Sequence, residues 1–226
     1  MINIKIVDSP HKILFNNIIY GEMTMIYDSQ SLKIKYKDYK NLNQKISIEC
    51  KKGNLTRIKK GLYSDNIDID KLVIANICYE PSYISFEYAL SYYGLIPEHV
   101  STITSATYNK KNNKKYMTHD NIFEYKSIPN DAYPYGIVFQ KNEENIKYKI
   151  ASKEKALCDL LYIKEPIRSI KDLKILLFDD LRIDEEYFWS LNFDFIRELM
   201  TKYHSNTIKI LVKYTGEKHD NNWRNN

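Results

Sequence analysis

The feature that most constrains the fold is a switch along the chain from strand-like segments to amphipathic helical ones. Between residues 100 and 151 the sequence is rich in β-branched and aromatic residues, which favour strands. Residues 152–203 instead carry leucines and isoleucines at helical spacing. Strands followed by a run of helices are typical of an α+β protein. The predicted strands are Val100 to Tyr108, Lys115 to Thr118, Ile122 to Ile128, Ile137 to Phe139 and Ile146 to Ala151.

Helices are indicated on both sides of this strand region by apolar residues three or four positions apart and by capping residues before them. Ser169 and Asp172, for example, have the spacing of a capping box. The predicted elements are helices over Leu72 to Cys78, Pro81 to Tyr93 with Ser82 or Ser85 as cap, Ser152 to Leu161, Ser169 to Leu177 and Ile196 to Tyr203, then a short strand over Ile208 to Val212.

A different pattern occupies the N-terminal quarter. Leu42, Ile46 and Cys50 recur every four residues, which predicts a helix from about Tyr39 to Lys51, ended by Gly53. Two short strands, residues 55–58 and 61–63, follow and are joined through two lysines. Helix, glycine and basic hairpin is the order of a recognition helix followed by a wing.

We therefore predict two domains, a winged helix-turn-helix region over residues 1–66 and a mixed α/β domain over residues 67–226. Residues 1–32 belong to the first or form an extension of it. Within them, Ser9 to Gly21 has the pattern of a short capped helix, while Met23 or Met25 is an alternative start, which leaves open whether residues 1–22 belong to the native protein.

Positive charge is concentrated in this N-terminal region. Residues 31–63 contain ten Lys or Arg and only two carboxylates, a net charge of +8, whereas the whole chain carries +5, so the remainder is −3. Such a segment is typical of phosphate-backbone binding, and a solvated basic face is the alternative. A second basic run, Lys110 to Lys115, is either another nucleic-acid contact or a soluble turn.

Side chains on the outer faces of the predicted helix and on the hairpin are of types that hydrogen-bond base edges or neutralise phosphates. Ile48 also falls on the outer side, and Glu49 near the inner one, which departs from this pattern. The predicted DNA-binding residues are Lys40, Gln44, Lys45, Ser47, Lys51 and Lys52 on the helix, with Arg57, Lys59 and Lys60 on the wing.

The sequence carries few signs of other classes. A membrane span and a signal peptide are not indicated, so we expect a cytoplasmic protein with no membrane partner. Three widely spaced cysteines predict reduced thiols rather than disulfides or zinc ligands, and the histidines have no ligand spacing. With no phosphate-binding glycine motif present, we expect no cofactor and no bound metal.

An enzymatic alternative has one motif in its favour. Glu124, Tyr125 and Lys126 form an E-x-K on a predicted strand, as in metal-dependent nucleases, but Asp131 follows the motif and Asp120 lies too close before it. The acidic residues between Asp179 and Glu186 are of types that bind cations, yet they lie where acidic helix caps are ordinary. We therefore assign no catalytic residues.

Several longer segments resemble AbiEi-type antitoxins, which are transcriptional regulators of phage-defence toxin–antitoxin systems. Together they cover roughly residues 36–212, and residues before about Lys33 lie outside the resemblance. The matching segments are Lys45 to Ser47, Cys50 to Leu55, Lys59 to Tyr63, Pro81 to Glu98, Thr104 to Thr107, Ala151 to Asp159 and Leu177 to Asp184.

The resemblance implies that the N-terminal region represses its own promoter and that the C-terminal domain neutralises a nucleotidyltransferase-like toxin. It also implies an antitoxin surface on the matching segments, in which charged side chains are expected to be exposed. A stand-alone transcriptional regulator without a toxin remains an alternative. The expected surface residues are Ser82, Tyr83, Ser85, Glu87, Lys153, Glu154, Lys155 and Asp159.

Overall fold

The N-terminal part of the described chain consists of three short strands and two helices. The computed structural model of the chain describes residues 25–66, 68–118, 121–143 and 145–224. The strands form an antiparallel sheet in the order β1-β3-β2. The elements in chain order are β1 (Ile26–Asp28), α1 (Ser29–Lys35), α2 (Leu42–Lys51), β2 (Thr56–Lys59) and β3 (Leu62–Ser64).

Capping residues set the start of both helices. The Asp28 carboxylate accepts a hydrogen bond from the Ser31 backbone N–H at 2.7 Å before α1, and the Asn41 side chain accepts one from the Gln44 N–H at 3.1 Å before α2. Gly53, with a φ of +77°, follows the end of α2, a backbone conformation that glycine adopts without a Cβ clash. A small buried cluster then holds the two helices on the sheet: Tyr27, Leu32, Ile46 and Leu55.

A six-stranded mixed sheet forms the centre of the C-terminal part. Its strand order is β6-β7-β5-β4-β9-β8, with β5 and β7 parallel, β4 and β9 parallel, and the other pairs antiparallel. The strands β6 and β8 are therefore the two edges. The strands are β4 (Tyr83–Ile84), β5 (Ile103–Thr107), β6 (Lys114–Met117), β7 (Ile122–Ser127), β8 (Ile137–Lys141) and β9 (Lys147–Ala151).

Helices cover this sheet and extend beyond it. The Tyr125 hydroxyl on β7 donates to the Ala75 carbonyl of α3, so α3 lies on the sheet face that Tyr125 occupies. Side chains of adjacent strand residues point to opposite faces. The helices are α3 (Lys71–Cys78), α4 (Phe86–Tyr92), α5 (Lys153–Ile163), α6 (Ile170–Lys174), α7 (Glu185–Trp189), α8 (Phe193–Tyr203) and α9 (Asn206–Arg224), with a 3-10 turn at Asn130–Ala132 and a π-helical segment at Ile175–Asp180.

The two parts are in contact through the β2–β3 hairpin. Ile58 on β2 is buried in the large hydrophobic cluster of the C-terminal part, and Leu62 on β3 packs against that cluster. The Lys59 ammonium donates a hydrogen bond to the Cys78 carbonyl at the end of α3. The change in charge near residue 64 therefore does not coincide with a break in packing.

Most predicted elements within the described residues are confirmed, with two differences. Residues 208–212 lie inside α9, so the predicted strand there is wrong; a run of only five mainly apolar residues does not distinguish the two structures. The predicted helix over Pro81 to Tyr93 divides into β4 and α4, with Ser85 as the N-cap position of α4. The predicted short helix from Ser9 to Gly21 lies outside the described residues.

The cysteines are free thiols, and an acidic residue between Asp179 and Glu186 caps a helix, as the sequence predicts. Cys50 is partly buried, Cys78 and Cys158 are buried, and all three are free thiols. Asp184 caps α7 by accepting from the Tyr187 N–H at 3.0 Å, as an acidic helix cap does. Across the described residues, no helix has both the length and the apolar character that a membrane crossing requires.

Candidate nucleic-acid interface

Helix α2 presents a polar, basic face to solvent. Ile46 points into the small N-terminal cluster, with Leu42 and Cys50 packed against it. The remaining faces of the helix and its flanks are exposed, and they carry amide, hydroxyl and ammonium groups. The exposed predicted DNA-binding residues here are Lys40, Gln44, Ser47, Lys51 and Lys52.

The Lys45 side chain makes its contacts within the protein, with Glu49 and Tyr39. Its Nζ lies 2.8 Å from Oε1 of Glu49, and it also lies 4.4 Å from the centroid of the Tyr39 ring. Asn54 donates to the other carboxylate oxygen of Glu49 at 2.8 Å. Hydrogen bonding to Glu49 raises the pKa of Lys45, and the bonds from Lys45 and Asn54 lower the pKa of Glu49. The lone carboxylate of α2 is thus neutralised on the inner side of the helix, which leaves the outer face basic.

Of the three basic residues on the hairpin, two are exposed to solvent and one makes contacts within the protein. Arg57 and Lys60 are exposed. Lys59 is not available for DNA, because its ammonium donates to the Cys78 carbonyl and lies 5.0 Å from the centroid of the Tyr116 ring. The expectation that Lys59 contacts DNA is therefore corrected. Regular alternation would place Arg57 and Lys59 on one face of β2, but the pairing with β3 shifts register between them, and Lys59 reaches into the junction between the two parts.

The second basic run lies close to this hairpin. Lys110 is 5.2 Å from the centroid of the Tyr79 ring, and Tyr79 in turn packs against Tyr116, the ring that Lys59 contacts. Lys111, Lys114 and Lys115 are exposed around the turn into β6. The structure thus brings two basic segments together that are separated by about fifty residues in the sequence, a proximity that sequence patterns do not reveal.

The predicted antitoxin surface is largely buried. Ser82, Tyr83, Ser85, Lys155 and Asp159 are all 0% exposed, so they cannot form a contact surface, and that expectation is corrected. Charged residues are almost never fully buried unless they are paired, and Lys155 and Asp159 are paired with each other. The remaining three, Glu87, Lys153 and Glu154, are partly exposed. Glu154 accepts hydrogen bonds from the Ser152 hydroxyl and from the Asn192 N–H.

Asp159 is the centre of a buried hydrogen-bond network. Its Oδ1 lies 3.2 Å from Nζ of Lys155 and accepts a hydrogen bond from the Tyr203 hydroxyl. Its Oδ2 accepts from the Tyr83 hydroxyl at 3.0 Å and from the Ser85 hydroxyl at 2.6 Å. Both carboxylate oxygens therefore have hydrogen-bond donors, and the charge of Asp159 is balanced by Lys155. Since Tyr83 lies on β4 and Tyr203 on α8, the network joins α5 to both elements.

Burial governs the protonation of this network. Burial lowers the pKa of Lys155, with Asp159 opposing that change, and it raises the pKa of Tyr83 and of Tyr203 well above the ordinary range for a phenol. Lys155 also donates to the Ala132 carbonyl at 2.8 Å. The tyrosines therefore remain neutral donors at physiological pH, as a structural network requires.

The E-x-K motif contributes to a separate groove of about 430 Å³. Nζ of Lys126 lies 3.6 Å from Oε2 of Glu124 and 3.9 Å from Oε2 of Glu87 on α4, so the lysine lies between two carboxylates. Thr104 and Asp180 also line the groove. Within the described ranges, no group of His, Cys, Asp and Glu has an arrangement that could hold a metal ion.

Comparison of the chain with protein-family models and with curated proteins finds no match. These comparisons assign the chain to no family. The features that bear on function are therefore the exposed basic face of α2 and the adjoining hairpin.

Proposed function

We propose that the protein is a DNA-binding transcriptional repressor of the AbiEi antitoxin type. In this proposal α1 and α2 are a helix-turn-helix, α2 is the recognition helix that enters the major groove, and the β2–β3 hairpin is the wing. The observation that carries the proposal is the exposed face of α2, where basic and hydrogen-bonding side chains lie together while Glu49 is withdrawn and neutralised.

The charge distribution supports binding to double-stranded DNA. Exposed Lys and Arg neutralise phosphates and release counterions, which supplies affinity without sequence preference. The basic side chains surround two that can read bases: Gln44, whose amide pairs with the edge of adenine, and Ser47, whose hydroxyl bonds to several bases. Lys40 precedes the helix, Lys51 and Lys52 end it, and Arg57 and Lys60 extend the same charge onto the hairpin.

Neutralisation of a nucleotidyltransferase-like toxin by the C-terminal part is the second half of the proposal, and it rests on the resemblance. Because Lys155 and Asp159 are buried, a toxin-contacting surface would have to use other residues. Of the expected residues, Glu87, Lys153 and Glu154 retain partial exposure. In this proposal the protein is not an enzyme. Rescue of growth when the protein is co-expressed with the product of a neighbouring toxin gene would separate an antitoxin from a stand-alone regulator.

The test of the DNA-binding half is an equilibrium titration of labelled duplex DNA. The DNA is the region upstream of the protein's own coding sequence, and a shuffled duplex of the same length and composition is the control. We expect the promoter to bind at least 10³-fold more tightly, which is the lower end of specific recognition. Equal affinity for both duplexes would contradict the proposed repressor function.

A further inference from the structure

Ile48 is an apolar side chain in the middle of the polar face of α2. It is 40% exposed and belongs to neither of the two hydrophobic clusters, so it has no role in the core. Gln44 lies one turn before it on the same side of the helix. An isoleucine at this position therefore faces whatever Gln44 faces.

We infer that Ile48 reads thymine, by packing its side chain on the thymine C5 methyl group in the major groove. This inference rests on the proposed function, since it requires α2 to enter the groove. Thymine is the one base whose major-groove edge carries an apolar group. Against any other base edge, an isoleucine would cover polar atoms without replacing their hydrogen bonds to water, which is unfavourable.

The position of Gln44 narrows the expected sequence. One helical turn rises 5.4 Å, and base pairs are spaced by 3.4 Å, so side chains one turn apart reach base pairs one or two steps apart. A glutamine amide pairs in a bidentate manner with adenine. The operator is therefore expected to place an adenine contacted by Gln44 within two steps of the thymine contacted by Ile48.

The charge around Ile48 favours DNA as the occupant of this face over a protein partner. Lys51 and Lys52 are exposed one turn after Ile48, and Gln44 and Ser47 before it carry no negative charge. A hydrophobic protein surface would have to bury these ammonium groups, which is costly without paired carboxylates. DNA instead offers phosphates to the lysines and a methyl group to the isoleucine.

The test replaces thymine with deoxyuridine, one operator position at a time, which removes only the methyl group. Dissociation constants are measured by fluorescence anisotropy for the full chain, for Ile48→Ala and for Ile175→Ala. Ile175 is the matched control, because it is 41% exposed and lies in the C-terminal part outside both clusters. Thermal melting first confirms that the variants fold.

For the wild-type protein and for Ile175→Ala, we expect at least one deoxyuridine position to weaken binding about fourfold, the value of one buried methyl group. Ile48→Ala should bind the thymine operator more weakly and lose its sensitivity to deoxyuridine at that position. Two results would overturn the inference but not the proposed function. The first is a wild-type dissociation constant that no deoxyuridine substitution changes, and the second is an Ile48→Ala variant that remains as sensitive to deoxyuridine as the wild type. Absence of promoter binding by the wild type would overturn the proposed function and the inference with it.

Discussion

Lys155 and Asp159 form an ion pair that is completely buried, with Nζ and Oδ1 3.2 Å apart on consecutive turns of α5. The pair lies where the sequence indicated an exposed surface. Tyr203 from α8 and Tyr83 from β4 complete its surroundings, so the pair depends on residues distant in the sequence. A motif of charged residues can therefore serve packing rather than binding.

Removing one partner of this pair should strongly destabilise the chain. We expect Asp159→Ala and Lys155→Ala each to lower the free energy of unfolding by about 3–5 kcal/mol, because each leaves a buried charge without its partner. The double variant should cost less than the sum of the two by more than about 1 kcal/mol. Urea denaturation of the three variants measures this, and strict additivity would show that the two residues do not interact.

Gly136 lies against the same pair. A Cβ at this position would be 2.7 Å from Cβ of Lys155 and 3.2 Å from Cε1 of Phe195, and the φ of Gly136 is +66°. We expect Gly136→Ala to destabilise the chain more than Gly94→Ala, by about 1–3 kcal/mol of overpacking. Gly94 is the control, since its φ is +71° but no atom lies within 4 Å of its added Cβ. Equal losses in melting experiments would mean that only the backbone conformation matters.

The Lys45–Glu49 pair predicts a pH dependence of stability. Hydrogen bonds from Lys45 and Asn54 lower the pKa of Glu49 below its ordinary value of 4.5. Its stabilising contribution is therefore present above about pH 4.5 and lost as the pH falls through the lowered pKa of the folded state. The difference in unfolding free energy between the wild type and Glu49→Gln should shrink between pH 6 and pH 3. A difference that is constant over this range would contradict the ion pair.

Ile58 should stabilise the C-terminal part although it lies in the N-terminal hairpin. Both tryptophans, Trp189 and Trp223, are in the C-terminal part, so tryptophan fluorescence follows the unfolding of that part. We expect Ile58→Ala to lower its stability by about 2–5 kcal/mol, because Ile58 is buried in the large cluster. Ile46→Ala, in the small N-terminal cluster, should shift the same signal less.

A fragment of residues 67–226 lacks Ile58 and should therefore be less stable than the full chain. Urea denaturation followed by tryptophan fluorescence measures the difference. Equal stability of the fragment and the full chain would support the domain boundary predicted from the charge pattern.

Local patterns were sufficient for most of the fold. The helix predicted from Tyr39 to Lys51 is observed over Leu42–Lys51, and the five predicted strands between residues 100 and 151 are all present, because periodicity and capping are local properties. The position of each predicted DNA-contacting residue on α2 follows from the same periodicity, with Lys45 as the exception. Its contact with Glu49 is a one-turn pair that a sequence allows but does not require.

Properties that depend on distant residues were not predictable in this way. The burial of Lys155 and Asp159 requires acceptors and donors from β4, α8 and the Asn130–Ala132 turn, which no local pattern reveals. Lys59 was assigned to DNA because lysines in a hairpin are usually solvated, whereas its partner, Cys78, lies at the end of another helix. The signal that could have indicated the first error is the spacing of Lys155 and Asp159, which places opposite charges on one face of an apolar helix.

The salt dependence of promoter binding tests most directly whether α2 and the hairpin bind DNA through exposed cations, as proposed. For the triple variant Lys51→Ala, Lys52→Ala and Lys60→Ala, we expect the slope of log affinity against log salt to become shallower by up to about 3, since each lost phosphate contact removes roughly 0.9. The control replaces Lys171, Lys174 and Lys209, which are exposed in the C-terminal part and remove the same charge. The control should keep the wild-type slope; an unchanged slope in the α2 and hairpin variant, or an equal change in both, would contradict the claim.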